Sequence, residues 1–151
     1  MNSTTKRRED WPERLAEYLR SKRGQPFVWG ANDCALLTCG AVLAMTEVDL
    51  AADFRGKYTD AASATKVMLQ VCGGNLEKLA EKIAADRGFQ EVKPALARRG
   101  DVVLFDVRDD EAVQGPALGV VALNGHTAHS TGPGGAVVVP IKAWRRAWRI
   151  G

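Results

Sequence analysis

The side chains of this 151-residue chain best suited to covalent chemistry are its 3 Cys and 2 His, namely Cys34, Cys39, Cys72, His126 and His129. Cys34 follows Asn32-Asp33 and opens an apolar stretch that runs to Met45. Either Asn32 or Asp33 can cap a helix there, which places Cys34 in its first turn. A thiol so placed meets the positive end of the helix dipole and unpaired backbone N–H groups, which favour the thiolate and bring a Cys pKa from ~8.5 to about 3.5–7.5. The same N–H groups can hold the oxyanion formed when that thiolate attacks a carbonyl. The plainer reading makes Cys34 one more small buried hydrophobe, as Cys39 and Cys72 are read.

Other constellations offer less. Cys34 and Cys39 lie about 140° apart around a helix, and His126 and His129 point to opposite faces of a strand, so the residues call for no metal and no cofactor. His126 reads as an exposed turn residue. His129 reads either as a polar site residue or as an inert half-buried imidazole. Gly132-Pro133-Gly134-Gly135 is a turn between strands, without the strand-then-helix setting of a phosphate loop. Asp101 stands where a strand begins and where its carboxylate can bond a neighbouring loop.

The elements that must position these groups fall into two halves. Asp10-Trp11-Pro12-Glu13 starts a first helix by its cap, its first-turn proline and the Glu three residues on, and Gly24 ends it. Gln25–Ala31 is a short turning stretch. The Cys34–Met45 segment is apolar almost all round and reads as a buried helix. Helices follow over about Thr59–Val71, ending at Gly73-Gly74, and over Leu76–Arg87, capped by Asn75 and stopped by Gly88. Beyond them the period changes to strands at Val102–Phe105, Leu118–Leu123, Val137–Val139 and Trp144–Ile150, with Asn124-Gly125 turning a hairpin. Helices followed by an antiparallel sheet predict an α+β fold.

The length fits one domain, read as 10–151 behind a flexible terminus at 1–9. Apolar residues at 46% and charged residues at 26% exclude disordered, collagenous and coiled-coil classes. No apolar run approaches the ~18 residues of a membrane helix, and Met1–Asp10 offers none for a signal, so the expected setting is cytoplasmic or virion-associated, away from membranes, with reduced thiols. The net charge of +3 is carried at the two ends of the chain. In the first helix the basic residues alternate with Glu, as on a solvated face, and no reading motif accompanies them, which argues against nucleic acid. Trp144–Arg149 reads as an interface or as an edge strand blunted by charge.

Gly24-Gln25-Pro26-Phe27-Val28-Trp29-Gly30, then Asn32-Asp33-Cys34, then Arg99-Gly100-Asp101-Val102-Val103-Leu104-Phe105, resembles the NlpC-like branch of the papain-fold cell-wall peptidases. The likeness is nearest to small NlpC-like proteins of unknown function in phage and prophage genomes. It covers about residues 24–45 and 99–130 and leaves the helices at about 59–87 as an insertion. It implies a papain-like α+β fold with the Cys-bearing helix packed on the sheet, and Cys34 as a nucleophile passing through an acyl-enzyme. Asp33, Trp29 and Phe27 would form the oxyanion side or wall of the site, although Phe27 lacks the hydroxyl of the Tyr common there.

The same resemblance requires a His base at the head of the strand after the Gly-Asp strand, and here that place holds Ala117, in Ala117-Leu118-Gly119-Val120. His129, in Thr127-Ala128-His129, matches the family's third polar residue and could substitute as base. Its face depends on the hairpin. A two-residue Asn124-Gly125 turn pairs Val120 with His129 and turns His129 away from Ala117's face, whereas a three-residue loop pairs Gly119 with His129 and puts both on one face. The resemblance needs the second register. Two functions follow as expectations. One is a thiol-dependent amide hydrolase acting on peptidoglycan peptides or a related amide, impaired by the missing base. The other is a catalytically inactive module with an assembly role among the structural proteins of a phage tail or prophage particle.

Overall fold

The computed structural model describes residues 5–108 and 113–151. Helix α1 (Trp11–Lys22) begins at Asp10 with a proline in its first turn. The expected side-chain cap is absent, because the Asp10 carboxylate accepts instead from Arg14 Nε at 2.9 Å and Arg8 Nε at 3.3 Å. Helix α2 (Cys34–Thr46) buries Ala41, Val42 and Met45 completely, which its nearly unbroken apolar surface requires. It passes close to α1 at Gly40. A side chain there would collide with the Tyr18 hydroxyl, which donates to Leu37 O at 2.8 Å. Helices α3 (Ala61–Cys72) and α4 (Leu76–Arg87) stand where the caps and glycines place them, with a reciprocal Asp60–Ser63 capping box on α3 and Asn75 capping α4.

The second half is a six-stranded antiparallel sheet in the order β1-β6-β2-β3-β4-β5, formed by β1 (Glu91–Val92), β2 (Val102–Arg108), β3 (Val113–Val121), β4 (Thr127–Gly132), β5 (Gly135–Pro140) and β6 (Arg146–Trp148). The fold is therefore α+β, helices first. Alternation along β2 and β3 gives the sheet two buried faces. Val102, Leu104, Leu118 and Val120 join Leu37, Ala41, Val42 and Met45 of α2 in the main core. Val103, Phe105, Ala117 and Val121 face the other way, into a cluster with Ala128, Val139, Trp144 and Ala147.

Two sequence expectations change here. The Trp144–Arg149 segment is neither a free interface nor an edge, since β6 lies between β1 and β2. Its charges are answered within the fold: Arg145 pairs with Glu77 at 2.9 Å and Asp106 at 3.3 Å, and Arg146 with Glu77 at 2.9 Å, Glu81 at 3.1 Å and Glu91 at 2.7 Å. Of the terminus read as flexible, residues 1–4 lie outside the described residues, while the chain is tied down from Thr5 onward. Thr5 is buried, Arg8 N donates to Met45 O at 2.8 Å, and Arg7 reaches Ile150 O, Arg99 O and Asp101 Oδ1 at 2.7 to 2.8 Å. Composition hid this because Arg7 is anchored by partners some ninety or more residues away. Among the described residues, no helix is long and apolar enough to cross a membrane.

Candidate thiol site

The residues before α2 form a tight loop. Val28 and Asn32 exchange backbone hydrogen bonds at 3.0 and 2.7 Å, and Asn32 Nδ2 donates to Pro26 O at 2.9 Å. Of the two candidate caps, Asp33 is the one used. Its Oδ1 accepts from Leu36 N at 2.9 Å, while Oδ2 accepts from Gly30 N at 3.0 Å and from the Tyr58 hydroxyl at 2.6 Å. Gly30 has φ +79°, and a side chain on it would strike the Tyr58 carbonyl, so the Trp-Gly pair in the motif is a backbone requirement. Asp33 is 2% exposed, and its oxygens are taken up in fixing the loop and the helix start. It positions the thiol and is not free for proton transfer.

Phe27, Trp29 and Tyr58 make an aromatic wall on this loop. Trp29 meets Phe27 edge-on at 4.9 Å between centroids and Tyr58 at 6.5 Å, and it remains 38% exposed. Tyr58 was not legible as a site residue in the sequence. The signal that could have found it is the need of a largely buried phenol for a hydrogen-bond partner. Burial, followed by the bond to the Asp33 carboxylate, pushes its pKa upward, so it stays protonated as the donor to Asp33.

Cys34 is the first residue of α2, as expected, but its acidity is not. Burial pushes the thiol up to about 11. The Leu118 N–H and the N–H groups of Ala35 and Cys34 itself pull the other way, and the nearby Asp33 carboxylate adds to the rise. The expectation of a lowered thiolate pKa is thus corrected: Cys34 is only half-buried, yet the apolar packing around its sulfur outweighs the helix end, whose Leu36 N–H is already taken by Asp33. At neutral pH Cys34 is a thiol.

Cys34 packs against the far-face cluster that contains Ala117 and Phe105, and the backbone N–H of Leu118 is among the groups that ease the rise of its pKa. The stretch 117–118 of β3 therefore lies beside the thiol. What Ala117 supplies there is a methyl group, 3% exposed. His129 does not make up for it. The observed register pairs Val120 with His129 and Val121 with Ala128, which is the first of the two alternatives and turns His129 toward the face of Val120, opposite that of Ala117. The reason lies in the turn. Ala122 N donates to Thr127 O and Gly125 N to Ala122 O, so a four-residue link, Leu123–His126, replaces both shorter loops. Asn124 Oδ1 locks it by accepting from His126 N at 2.8 Å and Thr127 N at 3.1 Å.

Among the described residues, no hydrogen bond or ion pair joins His129 to Cys34. Partial burial and the positive charge of Arg23 lower the pKa of His129, which keeps the imidazole neutral at neutral pH. The remaining candidates fall outside the site. His126 is exposed on the turn, Cys39 is buried with its thiol pushed up to about 12, and the Cys72 thiol donates to Met68 O at 3.1 Å on α3. The chemistry available at Cys34 is that of a protonated thiol among backbone N–H groups of α2 and β3, against an apolar wall.

No curated protein matches this chain, nor does any solved structure. One family model does, over residues 6–150, and its description is a domain of unknown function. That match spans nearly the whole of the α+β fold and includes both Cys34 and the β3–β4 hairpin, so the chain belongs to the DUF6950 family.

Proposed function

We propose that this chain is a papain-like module of the NlpC type that has lost hydrolysis at its thiol, and that it serves as a structural or assembly component of a phage tail or prophage particle. The observation that carries the loss of hydrolysis is the surroundings of Cys34: the sulfur lies against the cluster holding Ala117, where the NlpC-like pattern requires an imidazole. Without a base within reach, a thiol at about 11 holds on the order of one part in 10⁴ as thiolate at pH 7. Losing general acid–base help typically costs a further 10²–10⁴ in rate. The particle assignment is supported by the likeness of Gly24–Cys34 and Arg99–Phe105 to the small phage and prophage proteins.

The second reading, a thiol amide hydrolase acting on peptidoglycan peptides, is favoured by the backbone N–H groups of Leu118 and Ala35, which lower the thiol's pKa against the effect of burial and would serve a thiolate or a developing oxyanion. One experiment separates the two. Purified chain and its Cys34→Ala variant are incubated with peptidoglycan-derived peptides, and free amino groups are followed. The module reading expects identical traces, and particle assembly in a prophage host that survives Cys34→Ala but not deletion of the chain. Amide cleavage that disappears in Cys34→Ala would establish the hydrolase instead.

A further inference from the structure

The far end of α2 from Cys34 carries a feature that the thiol site does not use. Arg7, Trp11, Arg98, Arg99, Asp101 and Arg149 surround an open cleft of about 550 Å³. It lies by the Met45 end of the helix, since a side chain on Gly100 would meet both Arg7 Nη1 and Met45 Sδ. That is ~16 to 17 Å along the axis from Cys34 at 1.5 Å per residue.

Among the side chains, the walls bring together four guanidiniums and the Asp101 carboxylate, with Ile150 and Gly151 completing the lining. The carboxylate is committed. Asp101 is fully buried; its Oδ1 accepts from Arg7 Nη2 at 2.8 Å and Ile150 N at 3.2 Å, and its Oδ2 from Arg98 N at 2.8 Å. Arg149 Nε stands 3.8 Å from Oδ2, and this buried N–H has no hydrogen-bond partner. Arg7 and Arg99 both lie over the Trp11 ring, at 4.3 and 5.3 Å from its centroid. Among the described residues, the Arg98 and Arg99 side chains form no ion pair, and both residues are exposed. Burial holds the Arg7 guanidinium below its ordinary pKa, and repulsion from Arg149 and Arg99 acts in the same direction against the pull of Asp101. Among the side chains of the cleft, one carboxylate thus faces four guanidiniums.

We propose that this cleft binds a compact polyanion of the phosphate class. Planar guanidinium forks match the geometry of phosphate, which presents three acceptor oxygens and can be shared by several of them at once. The cleft falls within the ~300–1,000 Å³ usual for small-molecule sites, so it has room for linked phosphates rather than a bare ion. Trp11 splints two of the cations in place, which lowers the entropy lost on binding. The inference is independent of whether Cys34 is active.

The test titrates the full chain with pyrophosphate and tripolyphosphate at fixed ionic strength by calorimetry, with citrate as a carboxylate of similar charge. The cleft predicts saturable one-site binding of both phosphates, weaker binding of citrate, and affinity reduced about tenfold or more in R98Q/R99Q. These two side chains are exposed, so circular dichroism should show that variant folded, whereas Arg7→Gln removes a structural anchor as well. Absence of saturable binding, binding unaltered in folded R98Q/R99Q, or citrate binding as tightly as pyrophosphate would each overturn the proposal.

Discussion

The Tyr58 hydroxyl donates to Asp33 Oδ2 at 2.6 Å, so a residue between α2 and α3 holds the cap that sets the direction of Cys34. The same carboxylate ties Gly30 and Leu36. The thiol is therefore positioned by a four-way junction whose only charged member is buried. Tyr58→Phe should lower unfolding free energy by about 2 kcal/mol, the usual scale for a hydrogen bond to a charged acceptor. Urea unfolding measures it, and amide exchange should quicken at Gly30 and Leu36. A change below about 0.5 kcal/mol would show that the junction does not depend on this bond.

Ala117→His places an imidazole beside the thiol. Because Ala117 is packed against Phe105, the larger ring should cost about 1–3 kcal/mol through overpacking. In return, alkylation of Cys34 at pH 7 should speed up by about tenfold or more as the imidazole takes the proton. Ala117→Gln, similar in bulk but unable to accept a proton at this pH, should lose the stability without the gain. Equal rates in the two variants would place residue 117 elsewhere than at the sulfur.

His129 predicts a pH effect of definite sign. Its folded pKa is lowered, so between that value and the unfolded ~6.5 the unfolded chain binds more protons. Stability should therefore decline as pH falls through about 6.5, and His129→Gln should remove that part of the decline. Asp49, Glu77 and Glu91 also have lowered pKa values, but carboxylates whose folded pKa is depressed lose their contribution only below about pH 4.5. Thermal unfolding from pH 5 to 8 separates the two windows. A flat profile for the native chain over this range would refute the assignment.

How much of this was readable beforehand followed the range of the interactions. The caps at Asp33 and Asn75 and the glycine stops are local signals, and they gave the helix order and the place of Cys34. The hairpin register was not readable, because it turns on the Asn124 side chain closing a four-residue link where two shorter loops were equally compatible with Asn-Gly. The roles of Tyr58 and Arg7 are not legible in sequence because their partners are distant in the chain. The acidity of Cys34 failed for a related reason. The helix end that lowers a thiol pKa is visible in sequence, and the apolar cluster that raises it is assembled only by folding.

The most direct check on the account is the pH profile of Cys34 alkylation in the folded native chain, read residue by residue with iodoacetamide and mass spectrometry. A thiol kept protonated by burial beside Ala117 should react slowly at pH 7, with its rate still rising toward an inflection near 11. An inflection below about 8 would mean an activated thiolate, and would contradict the account of a site that has lost its chemistry.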